Sequence, residues 1–131
     1  AHVVLRGGDG KPTYSLAHWR EAKGYIDAYG IQHPATMIDV SHDNCFVNGK
    51  KDAAQQPQII YDILDSVADK PELKTLIKGF MLESYLQDGC QKLEAHTADS
   101  INTTGLSITD PCLGWEHTEK LLLTLAARHQ S

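Results

Sequence analysis

Basic residues are in the minority. Twelve Lys and Arg stand against 17 Asp and Glu, a formal net charge of -5. With a pI near 5.7, this excludes broad binding to nucleic acid or to an anionic membrane, both of which need a basic surface. Local basic residues still suffice to hold a phosphate. No apolar run approaches the roughly 20 residues of a spanning helix, and no signal-peptide pattern is present. Cysteine is scarce as well: Cys45, Cys90 and Cys112 are an odd number without a C-x-x-C pair. That argues against a disulfide framework and for free thiols in a reducing, cytoplasmic setting. No serine or cysteine has a base partner at a readable spacing, so nucleophilic catalysis has no support. The chain also lacks an initiating Met, running from Ala1 directly into His2-Val3-Val4-Leu5. We therefore expect it to be a piece of something longer.

What is present suits one soluble domain over residues 1–131, with 41% hydrophobic and 22% charged residues. His2-Val3-Val4-Leu5 is a β-rich run that stops at Arg6-Gly7-Gly8, followed by turn chemistry at Asp9-Gly10-Lys11-Pro12. Ser15 then reads as an N-cap. Leu16, Trp19, Ala22, Ile26 and Tyr29 recur at helical spacing until Gly30. A second strand, Ala35–Val40, stops at the polar cluster around His42, and the polar, Gly-containing Phe46–Lys51 reads as loop. A helix follows from near Gln56, with Ile59, Ile60, Ile63, Leu64 and Val67 on one face and Pro71 marking its end. Leu76–Leu82 is the third apolar run, ending at Glu83. The segment Gln87–Gly105 has no clear periodicity and reads as an extended loop. Trp115 reads as a packing anchor, and the last helix as carrying Leu121, Leu122, Leu125 and Ala126 in its buried stripe.

One phrase thus occurs three times: apolar strand, chemically capable residue, loop, amphipathic helix. Such alternation implies an α/β fold with a parallel sheet and flanking helices. Right-handed crossovers put all three strand ends on one edge, so Arg6, His42 and Glu83 should converge. Three strands do not close a barrel. A (β/α)8 TIM barrel takes about 250 residues, and this chain reads as its final part.

His42 and Glu83, with Asp110 from the loop after the third strand, make a mixed N/O donor set. Such a set suits a divalent ion such as Mn, Fe, Co or Zn, and three protein ligands leave positions open for chemistry. Each residue also has a plainer role open to it: a hydrogen-bonded strand-end histidine, an ion-paired Glu, a turn Asp before Pro111. Arg6 before Gly7-Gly8 combines a guanidinium with nearby amides, a cradle for phosphate or carboxylate, or else is an exposed arginine before a turn. Asp39 reads as a buried acid hydrogen-bonded to the sheet or to a neighbour. Ser41 and Asn44 read as turn caps, with orientation of the His42 ring as the alternative.

Four segments, taken together, resemble the type I DAHP synthases: His2-Val3-Val4-Leu5-Arg6-Gly7-Gly8, Asp39-Val40-Ser41-His42-Asp43-Asn44, Met81-Leu82-Glu83-Ser84 and Ser107-Ile108-Thr109-Asp110-Pro111-Cys112-Leu113-Gly114-Trp115-Glu116. The segments stand in the family's order and cover its C-terminal portion. The resemblance implies a (β/α)8 barrel, of which this chain supplies the last three βα units. It also implies that phosphoenolpyruvate condenses with erythrose 4-phosphate and water to give DAHP and phosphate, the first step of the shikimate pathway. By motif, His42, Glu83 and Asp110 match three of four metal ligands. Arg6 matches an arginine that holds the phosphoenolpyruvate phosphate, and Asp110 lies near the erythrose 4-phosphate end. The fourth ligand is a cysteine on the family's first strand, and none of Cys45, Cys90 or Cys112 stands at the matching position. Arg6, His42 and Asp110 are thus the catalytic candidates.

The expectation is an enzyme whose isolated portion is inactive and self-associates through open sheet edges, the complete protein being a homo-oligomer. Partners are the two small-molecule substrates, with no nucleic acid and no membrane. Two alternatives stay open: another metal-dependent TIM-barrel lyase or hydrolase, and a non-catalytic binding module.

Overall fold

In chain order the elements are β1 (His2–Leu5), α1 (Leu16–Ala28), β2 (Ala35–Asp39), β3 (Phe46–Val47), β4 (Lys50–Lys51), α2 (Gln56–Ser66), α3 (Pro71–Lys74), β5 (Ile77–Met81) and α4 (Trp115–Gln130). The computed structural model describes residues 2–130. It forms two compact units. One holds the chain up to Lys51 together with Gln55–Leu82; the other holds Asp52–Ala54 and the chain from Glu83 onward.

The first unit is a parallel sheet in the order β1-β2-β5 with flanking helices. Leu5 pairs with Ile38, and Ile38 with Phe80, so the C-terminal ends of the three strands are level. On one face of β2, Thr36, Ile38 and Val40 are fully buried. Helices supply the rest of this core: Trp19, Ala22 and Ile26 from α1, Ile59, Ile60 and Ile63 from α2, and Leu73 from α3. Each fully buried large apolar side chain contributes about 1.5–3 kcal/mol, and this burial fixes the strand faces. The hydroxyl of Thr36 is buried with no hydrogen-bond partner.

Local chemistry sets the helix ends. Gly30, at φ +57°, follows α1 in the left-handed region. Its N–H donates to the Asp27 carbonyl, and that of Ile31 to the Ile26 carbonyl, the paired closure of a Schellman motif. Pro57 sits in the first turn of α2, where its missing N–H costs nothing. Pro71, expected to mark the end of α2, does not: α2 already stops at Ser66, and Pro71 opens the short α3.

The segment Phe46–Lys51, expected as loop, is a two-stranded hairpin pairing Phe46 with Lys51 and Val47 with Lys50. Its turn is Asn48-Gly49, with φ of +50° and +79°. Positive φ at both central residues is what a tight hairpin of this kind demands, and Asn-Gly supplies it at low steric cost.

In the second unit the extended segment after Glu83 is ordered by its own hydrogen bonds. The Leu113 N–H donates to the Glu83 carbonyl at 2.9 Å, and that of Tyr85 to the Leu113 carbonyl at 3.0 Å. Gly89 and Cys112 exchange both backbone bonds. Buried Gln91 acts like a peptide group, donating to the Asn102 carbonyl at 2.6 Å and accepting the Asn102 N–H at 2.9 Å.

Helix α4 departs from the expected stripe. Thr118 and Leu121 are buried, whereas Leu122 is 50% exposed, Ala126 is exposed and Leu125 is only partly covered. At about 100° per residue the four expected positions span roughly 140° of the helix surface, and only the Leu121 edge of that arc is covered. The register is set by Thr118, whose hydroxyl bonds the Gly114 carbonyl and the Ser84 hydroxyl. Trp115, expected as a packing anchor, is 53% exposed at the start of that helix.

Candidate metal centre

Each strand of the parallel sheet delivers a candidate residue just past its C-terminal end. Arg6 follows β1 directly, His42 lies three residues beyond β2, and Glu83 two residues beyond β5. His42 opens a single 3-10 turn, His42–Cys45, with φ of +51°. A non-glycine residue in the left-handed region is held there by its surroundings.

Those surroundings are visible in the first unit. The buried carboxylate of Asp39 accepts two hydrogen bonds on Oδ1, from the Ser41 N–H at 3.0 Å and from the Ser41 hydroxyl. Its Oδ2 lies 2.8 Å from Nδ1 of His42. Ser41 Oγ is also 2.9 Å from that nitrogen. A carboxylate only accepts, and the Ser41 hydroxyl already donates to it, so the proton in this contact belongs to Nδ1. Nε2 is the ring nitrogen that neither Asp39 nor Ser41 engages.

Asn44 does not touch the ring. Its side-chain amide donates to the carbonyls of Leu5 and Asp39 at 3.1 and 2.7 Å, and its oxygen accepts the Thr13 N–H at 2.8 Å. It ties the ends of β1 and β2 to the turn after β1. Gly7 fits against this turn closely: a Cβ there would lie 2.8 Å from the Asp43 backbone, at a φ of +79°. The glycine amides do not form the anion cradle that the sequence led us to expect at Gly7-Gly8. The N–H of Gly7 donates to Thr13 Oγ1 and that of Gly8 to the Lys11 carbonyl. The glycines bring two loops together instead. Arg6 itself is exposed and lines a groove of about 350 Å³ with Val4, Gly7, His18 and Tyr25.

In the second unit a carboxylate oxygen of Glu83 and one of Asp110 lie within 4.8 Å of each other. The backbone bond from Leu113 to Glu83 brings the two segments into this register. Two carboxylates held this close are oxygen donors for a cation, and in the first unit His42 offers an imidazole nitrogen at the end of β2. That donor chemistry fits a divalent first-row transition ion, whose identity geometry rather than ligand type decides. The Cys45 thiol donates to the His42 carbonyl, and burial pushes the Cys112 thiol up from its ordinary value. Neither is part of a disulfide.

Residues 1–123 match the model of the DAHP synthetase I family. The chain belongs to that family. Among curated members, the Trp-sensitive phospho-2-dehydro-3-deoxyheptonate aldolase of Escherichia coli (strain K12) is 35% identical over 126 residues, 96% of this chain and 33% of the relative. The Phe-sensitive aldolase of the same organism is 38% identical over 126 residues, covering 95% of this chain and 32% of the relative. The solved structure of phospho-2-dehydro-3-deoxyheptonate aldolase from Francisella tularensis SCHU S4 superposes with a TM-score of 0.76 at 33% identity. That match takes in 96% of this chain and 33% of the other. The chain therefore spans about a third of the length of these DAHP synthetase I relatives.

Of the residues that shape the site, the sequence reading had not given Asp39, Gly7 and Asn44 their parts. Asp39 was legible as a buried acid, and its neighbour proves to be His42. An acid three residues before a strand-end histidine was the available signal. Nothing in the sequence signals the reach of Asn44 to Leu5, 39 residues away.

Proposed function

We propose that this chain is the C-terminal third of a metal-dependent 3-deoxy-7-phosphoheptulonate synthase, contributing the last three βα units of a (β/α)8 barrel. The complete enzyme condenses phosphoenolpyruvate with erythrose 4-phosphate and water, giving DAHP and phosphate. The observation that carries this reading is the family match over residues 1–123, within which His42, Glu83 and Asp110 stand at the motif positions of the family's metal ligands.

In this reading His42 through Nε2, with one carboxylate oxygen each from Glu83 and Asp110, holds a divalent ion. The fourth ligand, a cysteine, comes from outside these residues. When bound, the ion supplies Lewis-acid polarisation of the aldehyde or positions the attacking water. Arg6 offers a planar, permanently charged fork to the phosphate of phosphoenolpyruvate, offsetting its charge as the phosphate departs. Asp110 stands toward the erythrose 4-phosphate end. The 131-residue chain alone lacks the rest of the substrate cradle and is catalytically silent. The complete enzyme works in the cytoplasm as a homo-oligomer.

Two measurements test this. The purified 131-residue chain, given both substrates and Zn2+, should yield no DAHP, and turnover free of contaminating enzyme would overturn the claim of inactivity. Titration calorimetry with Zn2+ should show affinity falling more than tenfold in His42→Ala and in Glu83→Ala, since each deletes a ligand. Unchanged affinity in both would refute the ligand set.

A further inference from the structure

We propose that Asp39 is a positioning residue that fixes the tautomer and the ring direction of His42, leaving the lone pair on Nε2 for a metal ion. The proposal rests on the reading of His42 as a ligand and adds the group that prepares it. The geometry is specific. Asp39 is 4% exposed, too buried for its charge to be left to solvent, and the described hydrogen bonds of its carboxylate go to Ser41 and His42. Oδ1 takes two protons from Ser41, one from the backbone and one from the hydroxyl. Oδ2 takes the Nδ1 proton of His42 at 2.8 Å. Ser41 Oγ adds a second acceptor to that proton at 2.9 Å.

A carboxylate is required here because three donors converge on it and none of its own atoms donates. This division of labour gives an unusual prediction for the isosteric amide. In Asp39→Asn the single amide oxygen is needed by the two Ser41 donors. The NH2 group then faces Nδ1, which must become the acceptor, and the imidazole proton moves to Nε2. The variant has the same size and hydrogen-bond count, yet presents a proton where a ligand needs a lone pair. His42 makes this contact with Asp39 from a left-handed φ of +51°. Partners of this kind on a metal-ligating histidine are worth about 10–100-fold in metal affinity.

The test has a readout independent of metal and of activity. Long-range 1H–15N correlation spectra of the metal-free 131-residue chain should show His42 as the Nδ1–H tautomer. Asp39→Asn should show Nε2–H, with circular dichroism reporting the fold. By calorimetry that variant should bind Zn2+ about 10–100-fold more weakly. Ser41→Ala, which keeps the Asp39–His42 contact, should retain the Nδ1–H tautomer and serves if Asp39→Asn does not fold. An Nε2–H tautomer in the wild type, with His42→Ala still weakening Zn2+ binding, overturns the role of Asp39 and leaves the ligand reading standing. A His42→Ala chain that binds Zn2+ as tightly as wild type removes the ligand reading, and the positioning role with it.

Discussion

At the scale of single residues, adjacent positions of one dipeptide carry very different demands. Gly7 combines a left-handed backbone with a close approach to Asp43 and Asn44, whereas a Cβ on Gly8 would meet nothing within 4 Å. Gly7→Ala should therefore destabilise the chain by about 2–4 kcal/mol, from left-handed strain plus a clash against backbone that cannot move aside cheaply. Gly8→Ala should stay within about 0.5 kcal/mol of wild type, as an exposed change that touches no special feature. Urea denaturation of the pair checks this, and equal effects would show that the loop after β1 adapts. A sequence reading sees Gly-Gly as one turn signal. Only the second loop, arriving from 36 residues away, distinguishes the two.

Elements were read well where periodicity or breakers spoke, and less well where short pieces relied on turn chemistry. The three parallel strands and the first two long helices lie close to their expected places because burial of one face demands the period seen. The hairpin at Asn48-Gly49 carries the strongest short-range hairpin dipeptide, yet its strands, Phe46-Val47 and Lys50-Lys51, are too short to show alternation. Helix α4 was located correctly but rotated, since its register comes from hydrogen bonds to distant partners. Those bonds give a pH prediction. Asp88 accepts the Gly114 N–H at 2.7 Å, just before α4, and bonds Nδ1 of His117 at 2.9 Å. The Gly114 bond first, then His117, holds the Asp88 carboxyl below the ordinary range. A folded-state value below the unfolded one stabilises above the unfolded pKa of about 3.9 and is lost as pH falls through the folded value. Stability should thus drop on acidification below about pH 4, and Asp88→Asn should flatten that limb. Because the side chain is more than half exposed, the effect is under about 1 kcal/mol. Acid titrations followed by circular dichroism compare the two; identical limbs would dismiss the contribution.

At the scale of the whole molecule, the described residues leave surfaces that a self-sufficient domain covers. β1 and β5 each pair on one side only, with β2. Val4 and Met81 on the sheet, and Leu122 and Leu123 on α4, are exposed. Unpaired strand edges beside apolar surface favour association. Sedimentation of the 131-residue chain should accordingly show mass rising with concentration, and a strict monomer up to millimolar concentration would count against it. No helix among the described residues is long and apolar enough to cross a membrane.

The sequence by itself determined the order of strands and helices, the parallel α/β class, and the placement of Arg6, His42 and Glu83 at strand ends. These follow from local propensity and from hydrophobic periods of two and 3.6 residues, information that each segment carries alone. Motif order along the chain carried the family. Tertiary structure decided what each residue's neighbour is. It turned Asp39 from a buried acid into the partner of His42, and Asn44 from a turn cap into a tie between β1 and β2. It also committed the amides of Gly7 and Gly8 to their own loop and rotated α4 away from its apparent stripe. Such outcomes depend on hydrogen bonds and close contacts between segments tens of residues apart, and no local pattern encodes the distance at which two loops will meet.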